Sequence, residues 1–383
     1  MRFRADRDTL LEALVTAGRA ATARGGLSGG IAGLQLTLRA NRFEVVGSDP
    51  DLVIEAHCEV AGEADGSALV PSRLVTDIVR SFDAGSVAIA AGEEEVRFTC
   101  GRAEFVVRVA VGAEITRLGT PEVEGIKLPA ATFADGLRQV IRAALVDDSR
   151  APQLTGVLMK STDKGLRLIA TDSYRLAFRD FEGLSVLDSE GSVLVPAKAL
   201  GEVQRLVGSV KEDKVKEGKD GDDGSDIVFR HSDLDAVFDL GGVRITTRLL
   251  RGQFPDVERL VPDSFTHHVN LDREEFTSAL RRVRLLVRDS KDITTPVRLT
   301  FKEGTVELAV LTPESGRAVE SVESDFRGEE AMVAFNPTYL LEGAEAVHAD
   351  TLMLGINDAG HPALLSAEGE EEFRYLLMPV KVS

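Results

Sequence analysis

The chain has 383 residues, 43% of them hydrophobic, enough for two or three domains that each bury a core. No apolar run reaches the roughly 18 residues of a membrane span, Met1–Asp6 lacks the apolar core of a secretory signal, and two cysteines, Cys58 and Cys100, are too few for a disulfide framework, so a cytoplasmic protein is expected. The net charge of −18 excludes nucleic acid only if charge is spread evenly, because charges steer a ligand by where they sit and not by their sum.

Taken in chain order, the predicted elements repeat. A short strand leads into a helix at Phe3–Leu10, again at Ile126–Phe133 and again at Val269–Phe276; Leu10 to Phe133 is 123 residues and Phe133 to Phe276 is 143. Each helix is amphipathic, as Leu137, Val140, Ile141 and Ala144 show in the second copy. Next come strand, turn and strand, starting at Gly33–Leu38, Gly156–Lys160 and Pro296–Phe301, whose alternation predicts antiparallel hairpins. Leu34 to Val157 is again 123, and Val157 to Val297 is 140.

A second helix opens at Val70–Arg73, Val195–Lys198 and Phe335–Thr338, spaced by 125 and 140, with a proline expected in each first turn, where a missing N–H costs nothing. Three landmarks at nearly one offset mark one module used three times. The fold class is α+β, with two helices against antiparallel sheet in each copy, and boundaries are expected near residues 124 and 264 (domains 1–124, 125–264 and 265–383). The extra length before copy three comes from a charged Gly-rich run at 214–224, read as a solvated loop, and from the stretch around Phe254-Pro255-Asp256, which has no counterpart after copy one.

Positive charge recurs at equivalent positions. In the second helices Arg73 matches Lys198 and Arg80 matches Arg205, each pair seven residues apart and so on one face. Leu74, Val75, Ile78 and Val79 are read as the other face, as are Leu200, Val203, Leu206 and Val207. The first helices carry Arg138 and Arg142, and then Arg281, Arg284 and Arg288 with Arg282 alongside. Surface charge usually means only a solvated face, yet an acidic chain that sets arginine on equivalent faces favours contact with phosphates. Copy three's second helix departs, with Thr338 and Glu345 at those positions and Glu342 nearby.

No catalytic constellation emerges. There is no P-loop, and Gly25–Gly30 follows a helix and not a strand. His57-Cys58 and His267-His268 are neighbours in strand-like segments, so their side chains point to opposite faces and make poor joint metal ligands. Glu93–Glu95 and Glu370–Glu372 read as solvated hairpin turns, although dispersed carboxylates leave a hydrolase or nuclease as an open alternative. No metal and no cofactor are expected.

The segment Ala170-Thr171-Asp172-Ser173-Tyr174-Arg175-Leu176-Ala177 resembles the A-T-D-x-x-R-L-A segment of the bacterial DNA polymerase sliding clamps, the DNA polymerase III β subunits. Phe254-Pro255-Asp256, Phe335–Leu341 and the tail Tyr375–Lys381 join it in the family's order, and the resemblance covers the whole chain. It implies a non-catalytic processivity factor: two protomers closing head to tail into a ring of six similar domains around duplex DNA, bound without sequence preference. Helices would line the hole and sheets would continue across the interface. Implied partners are the DNA polymerase III α subunit, the clamp-loader complex and other proteins with a clamp-binding motif; no membrane is involved.

In that reading the DNA-facing residues are Arg24, Arg73, Arg80, Arg138, Arg142, Lys198, Arg205, Arg281, Arg282 and Arg284. The resemblance places a partner-peptide pocket between copies two and three, formed by Leu154, Thr171, Ser173, Tyr174, Arg175, Leu176, Pro255, Arg259, Leu260, Asn336, Tyr339, Pro362, Leu376, Met378, Pro379, Val380 and Lys381. A dimer interface is implied between Phe105 and the region of Leu285 and Leu286. The chain departs from the family in its Lys381-Val382-Ser383 ending, in a Gly25–Gly33 loop without the usual prolines and in the longer 214–224 run. The alternative reading is a specialised second clamp, or an interaction scaffold without a replication role.

Overall fold

The computed structural model describes residues 1–21, 32–109, 115, 117–146, 150–188, 191–216, 226–288, 295–313, 315–358 and 360–381, with backbone alone at 210–216 and 288. The first copy comprises β1 (Arg2–Asp6), α1 (Arg7–Gly18), β2 (Gly33–Arg39), β3 (Arg42–Ser48), β4 (Leu52–Glu59), β5 (Ala61–Ala64), β6 (Gly66–Pro71), α2 (Ser72–Ser81), β7 (Ser86–Ala91), β8 (Glu95–Cys100) and β9 (Ala103–Arg108). The second has β10 (Ile126–Pro129), α3 (Ala130–Val140), β11 (Gly156–Thr162), β12 (Gly165–Thr171), β13 (Arg175–Glu182), β14 (Ser192–Pro196), α4 (Ala197–Lys216), β15 (Asp226–His231), β16 (Asp235–Leu240) and β17 (Val243–Arg248). The third has β18 (His267–Asp272), α5 (Arg273–Val283), α6 (Leu285–Arg288), β19 (Val297–Lys302), β20 (Thr305–Thr312), β21 (Gly316–Glu323), β22 (Ala331–Phe335), α7 (Pro337–Ala346), β23 (Thr351–Ile356), β24 (Ala363–Ala367) and β25 (Phe373–Leu377).

The helix starts follow from capping chemistry. Asp6 accepts the N–H groups of Asp8 and Thr9, Asp272 accepts that of Glu275, and Asn336 accepts those of Thr338 and Tyr339, so donors left over in each first turn are satisfied. The prolines divide, contrary to the expectation of one in every first turn. Pro337 does sit there, but Pro71 is the extended residue before α2 and Pro196 ends β14, positions that its fixed φ also suits. The charged run is also corrected in part: helix α4 continues to Lys216, because Lys and Glu prolong a helix readily, and 217–224 lies outside the described residues.

Two compact units are present, Met1–Ala131 with Gly201–Leu249, and Thr132–Leu200 with Leu250–Ser383. In the first, a five-stranded sheet (β5-β1-β7-β8-β9) accompanies an eight-stranded one (β10-β15-β16-β17-β4-β3-β2-β6). In the second, an eight-stranded sheet (β14-β11-β12-β13-β25-β24-β23-β18) accompanies a four-stranded one (β21-β20-β19-β22). Both large sheets cross a boundary between copies, through β4 with β17 (Ile54 opposite Ile245) and β13 with β25 (Ala177 opposite Tyr375), both antiparallel.

The two joints match bond for bond. Arg248 N–H donates to Asp51 O and Met378 N–H to Tyr174 O, each at 2.9 Å. Just past each joint the chain bonds back to its own copy, Leu250 N–H to Leu194 O at 2.9 Å and Val380 N–H to Ala334 O at 2.7 Å. The core of the first unit packs Leu10, Leu14, Val75, Ile78 and Val79 of α1 and α2 against Phe3, Phe43 and Phe98. Helix α1 lies so close to β3 that a Cβ at Gly47 would stand 2.0 Å from Ala17 O, so only glycine fits.

Candidate nucleic-acid interface and partner-peptide site

The basic helix faces are exposed, and their arginines reach carboxylates. On α2, Arg73 and Arg80 both reach Asp77, at 3.8 and 2.7 Å. Leu74 stands exposed beside Arg73, so the apolar face of α2 is Val75, Ile78 and Val79 without it. On α4, Arg205 reaches Glu202 at 3.7 Å, and Arg19, just past α1, reaches the same carboxylate at 3.7 Å. Lys198 is exposed in the first turn of α4. Arg138 reaches Asp135 at 2.8 Å.

Arg142, in the short 3₁₀ turn after α3, and Arg281 of α5 both bond Glu345 of α7 at 2.9 Å. Burial works against ionising Glu345, but the bonds from Arg281 and Arg142 win and hold its carboxyl below the usual range. Beside them the buried Gln139 amide donates to Ala346 O at 2.8 Å. Arg282 does not join this cluster: its fork grips both oxygens of Glu320 on β21, at 2.8 and 3.0 Å. Arg284 is the half-buried C-cap of α5, and Arg24 lies outside the described residues. Exposed ion pairs contribute only about 0–1 kcal/mol, and a guanidinium has five donors, so a phosphate can bind these groups with little to displace.

The residues assigned to the partner pocket lie together in the second unit, in three tiers. Tyr174 (65% exposed), Leu260 (58%) and Met378 (42%) are outward apolar groups, with Ser173, Pro255, Arg259 and Lys381 exposed among them. Asn336, Tyr339, Pro362, Pro379 and Val380 are half-buried. Leu154, Thr171, Leu176 and Leu376 are buried; Leu176 and Leu376 pack with Ile169, Phe178, Val257 and Leu364. Ser173 adopts a left-handed φ of 77°, supported by its N–H donating to Thr171 Oγ1 at 3.1 Å, which turns Tyr174 outward.

Arg175 sits behind this surface, 7% exposed. Its Nε donates to Asp172 at 3.0 Å, its Nη1 pairs with Glu342, and its guanidinium stacks 4.2 Å over the Tyr339 ring. Tyr375, whose hydroxyl burial pushes up, donates to Tyr339 O at 2.9 Å. A Cβ at Gly343 would lie 2.5 Å from that Tyr375 ring. Arg175 thus locks the β12–β13 turn to α7 and offers no free charge to a ligand.

Sequence reasoning missed Asp172, Glu342 and Glu258 here. Glu258 accepts from Lys160 at 2.6 Å and Arg167 at 2.7 Å, and these two cations hold its carboxyl below the usual range although burial opposes them. The only signal was the spacing of Asp172 and Arg175; Glu342 is brought in by the β13–β25 joint, and Glu258 by a segment that folds back over β11 and β12.

Among the strands at sheet edges, β9 and β21 carry exposed apolar side chains. On β9, Phe105 and Val106 are exposed, with the Phe105 ring 5.7 Å from that of Phe82. Beyond α5, Leu285 is exposed and Leu286 half-buried, and the edge strand β21 exposes Val319, with Leu311 exposed on β20. Val106, Leu311 and Val319 extend these exposed apolar surfaces, and sequence reasoning did not single them out. Among the described residues no helix is long and apolar enough to cross a membrane, and no group of three or more His, Cys, Asp or Glu is placed to hold a metal.

The models of the DNA polymerase III beta subunit match in series, the N-terminal domain over residues 1–118, the central domain over 127–256 and the C-terminal domain over 258–381. The chain is 32% identical to the beta sliding clamp of Streptomyces coelicolor over the whole of both, and 29% identical to that of Synechocystis over 89% of each. Solved clamps superpose over the full length of both chains: that of Bartonella birtlesii, bound to griselimycin, with 28% identity and a TM-score of 0.87, and that of Bacillus subtilis with 26% and 0.86. A threefold α+β module, sheets that run from copy to copy, and this unbroken likeness from end to end make one conclusion: the chain belongs to the bacterial β sliding clamp family, the β subunits of DNA polymerase III.

Proposed function

We propose that two copies of this chain close head to tail into a ring around duplex DNA and tether the replicative polymerase, raising its processivity. The repeated sheet joint carries the reading of the ring. The fourth strand of copy one (β4) pairs with the last strand of copy two (β17), and the fourth strand of copy two (β13) with the last of copy three (β25). By the same rule β21 needs a last strand from outside its own chain, and β9 is the last strand left over. A second copy supplies both joints at once, which gives a closed two-fold assembly.

The hairpin registers make Ala318 the equivalent of Ile54 and Ala177, and Phe105 that of Ile245 and Tyr375. Phe105 of one protomer therefore faces Ala318 of its partner, with Leu285 and Leu286 alongside. The exposed arginines and Lys198 are the phosphate contacts, and the patch of Tyr174, Leu260 and Met378 is the partner site. It serves the polymerase α subunit, the clamp loader and other proteins with a clamp-binding motif, in the cytoplasm. The chain itself performs no catalysis, and domain limits near 124 and 264 fit this division of labour.

Retention on DNA tests the proposal. After loading by its clamp loader, the protein is expected to stay on closed circular DNA and to be lost within minutes of linearisation; retention on the linear form would disprove the topological link. Arg142→Glu with Arg205→Glu is expected to abolish stable loading while α-subunit binding survives, measured by gel filtration of the loaded complex.

A further inference from the structure

We infer that Glu258 is a positioning residue for the partner site: gripped by Lys160 and Arg167, its carboxylate sets the 3₁₀ turn that presents Leu260. This rests on the reading of the surface around Tyr174, Leu260 and Met378 as the partner site.

The turn Glu258–Leu260 has no side-chain cap, and its local bonds, Leu260 N–H to Val257 O at 3.0 Å among them, shape it without fixing it to the sheet. Two anchors hold it to the sheet. Val257 is buried in the apolar cluster of Ile169, Leu176, Phe178, Leu364 and Leu376. Next to it, the two oxygens of Glu258 take Lys160 at 2.6 Å and Arg167 at 2.7 Å. Lys160 and Arg167 are direct cross-strand partners on β11 and β12, and like charges so placed repel. The carboxylate from the overlying segment removes that repulsion.

The grip is rigid because Arg167 is itself fixed. Its other edge bonds both oxygens of Asp180, at 2.5 and 3.0 Å, and Arg374 reaches Asp180 at 3.4 Å. With Val257 and Glu258 held inward, the next two residues face out: Arg259, tied at 2.8 Å to Asp256, and Leu260. Without the charge at 258 the turn keeps one anchor, Lys160 and Arg167 repel beneath it, and a partner must order Leu260 on binding.

The test measures binding of the full-length polymerase α subunit to the intact clamp by surface plasmon resonance. Glu258→Gln is expected to weaken binding roughly three- to tenfold, the cost of ordering a few side chains, with dimer mass and melting temperature near those of the parent. Lys160→Glu and Glu258→Lys should each weaken binding at least as much, and the double reversal should recover part of it, because the 160–258 pair re-forms while Arg167 still faces a cation. Parental affinity in Glu258→Gln, or a double reversal as weak as its single parents, overturns the inference. Leu260→Asp and Met378→Asp separate the two levels. If they bind α as the parent does, the surface is not the partner site and both statements fall; if they lose α while Glu258→Gln keeps it, only the role of Glu258 falls.

Discussion

Glu345 stands where copies one and two carry Arg80 and Arg205, and it draws Arg142 and Arg281 onto one carboxylate. Its folded pKa lies below the unfolded one, so it adds stability above the ordinary carboxylate range, lost as pH falls through the folded value. Glu345→Gln is therefore expected to flatten the acid limb of melting temperature against pH between about 3 and 5, as followed by differential scanning fluorimetry. Arg175 is a harsher case, because removing it strands Asp172 and Glu342 in a largely buried site. Arg175→Ala should cost about 3–5 kcal/mol in urea denaturation. Neither role was legible in the sequence. The resemblance names Arg175 among the pocket residues through its motif, and the motif says nothing about which side of the turn its guanidinium takes.

Helix starts were the most legible elements, since Asp6, Asp272 and Asn336 announce them with local chemistry. The hairpins were legible for the same reason, being short-range. The joints were not: Ile54 meets Ile245 and Ala177 meets Tyr375 across nearly two hundred residues, and no periodicity encodes such a pairing. The tiers of the partner site depend on the second joint, so the sequence could name the residues without ranking them by depth. The packing of α1 on β3 gives an element-scale test. Gly47→Ala puts a methyl 2.0 Å from Ala17 O and should lower stability by about 1–3 kcal/mol, measured by chemical denaturation.

For the molecule as a whole, the proposed ring makes the edges of β9 and β21 the decisive surfaces. Phe105→Asp combined with Leu285→Asp places charge against apolar neighbours at both ends of the interface and should give a monomer in sedimentation equilibrium. The same variant should still bind the α subunit, since the proposed partner surface lies wholly in the second unit.

The long-range joints also bear on how the chain is made. Strand β4 (Leu52–Glu59) must wait for Val243–Arg248 to leave the ribosome before its open edge is paired, and β13 must wait for Phe373–Leu377 near the chain's end. Each copy thus emerges with one hungry strand, a template for wrong partners during synthesis. A stalled or truncated product ending before residue 373 would leave β13 uncovered. Such fragments are expected to aggregate, so faithful completion of translation is itself part of this fold's stability.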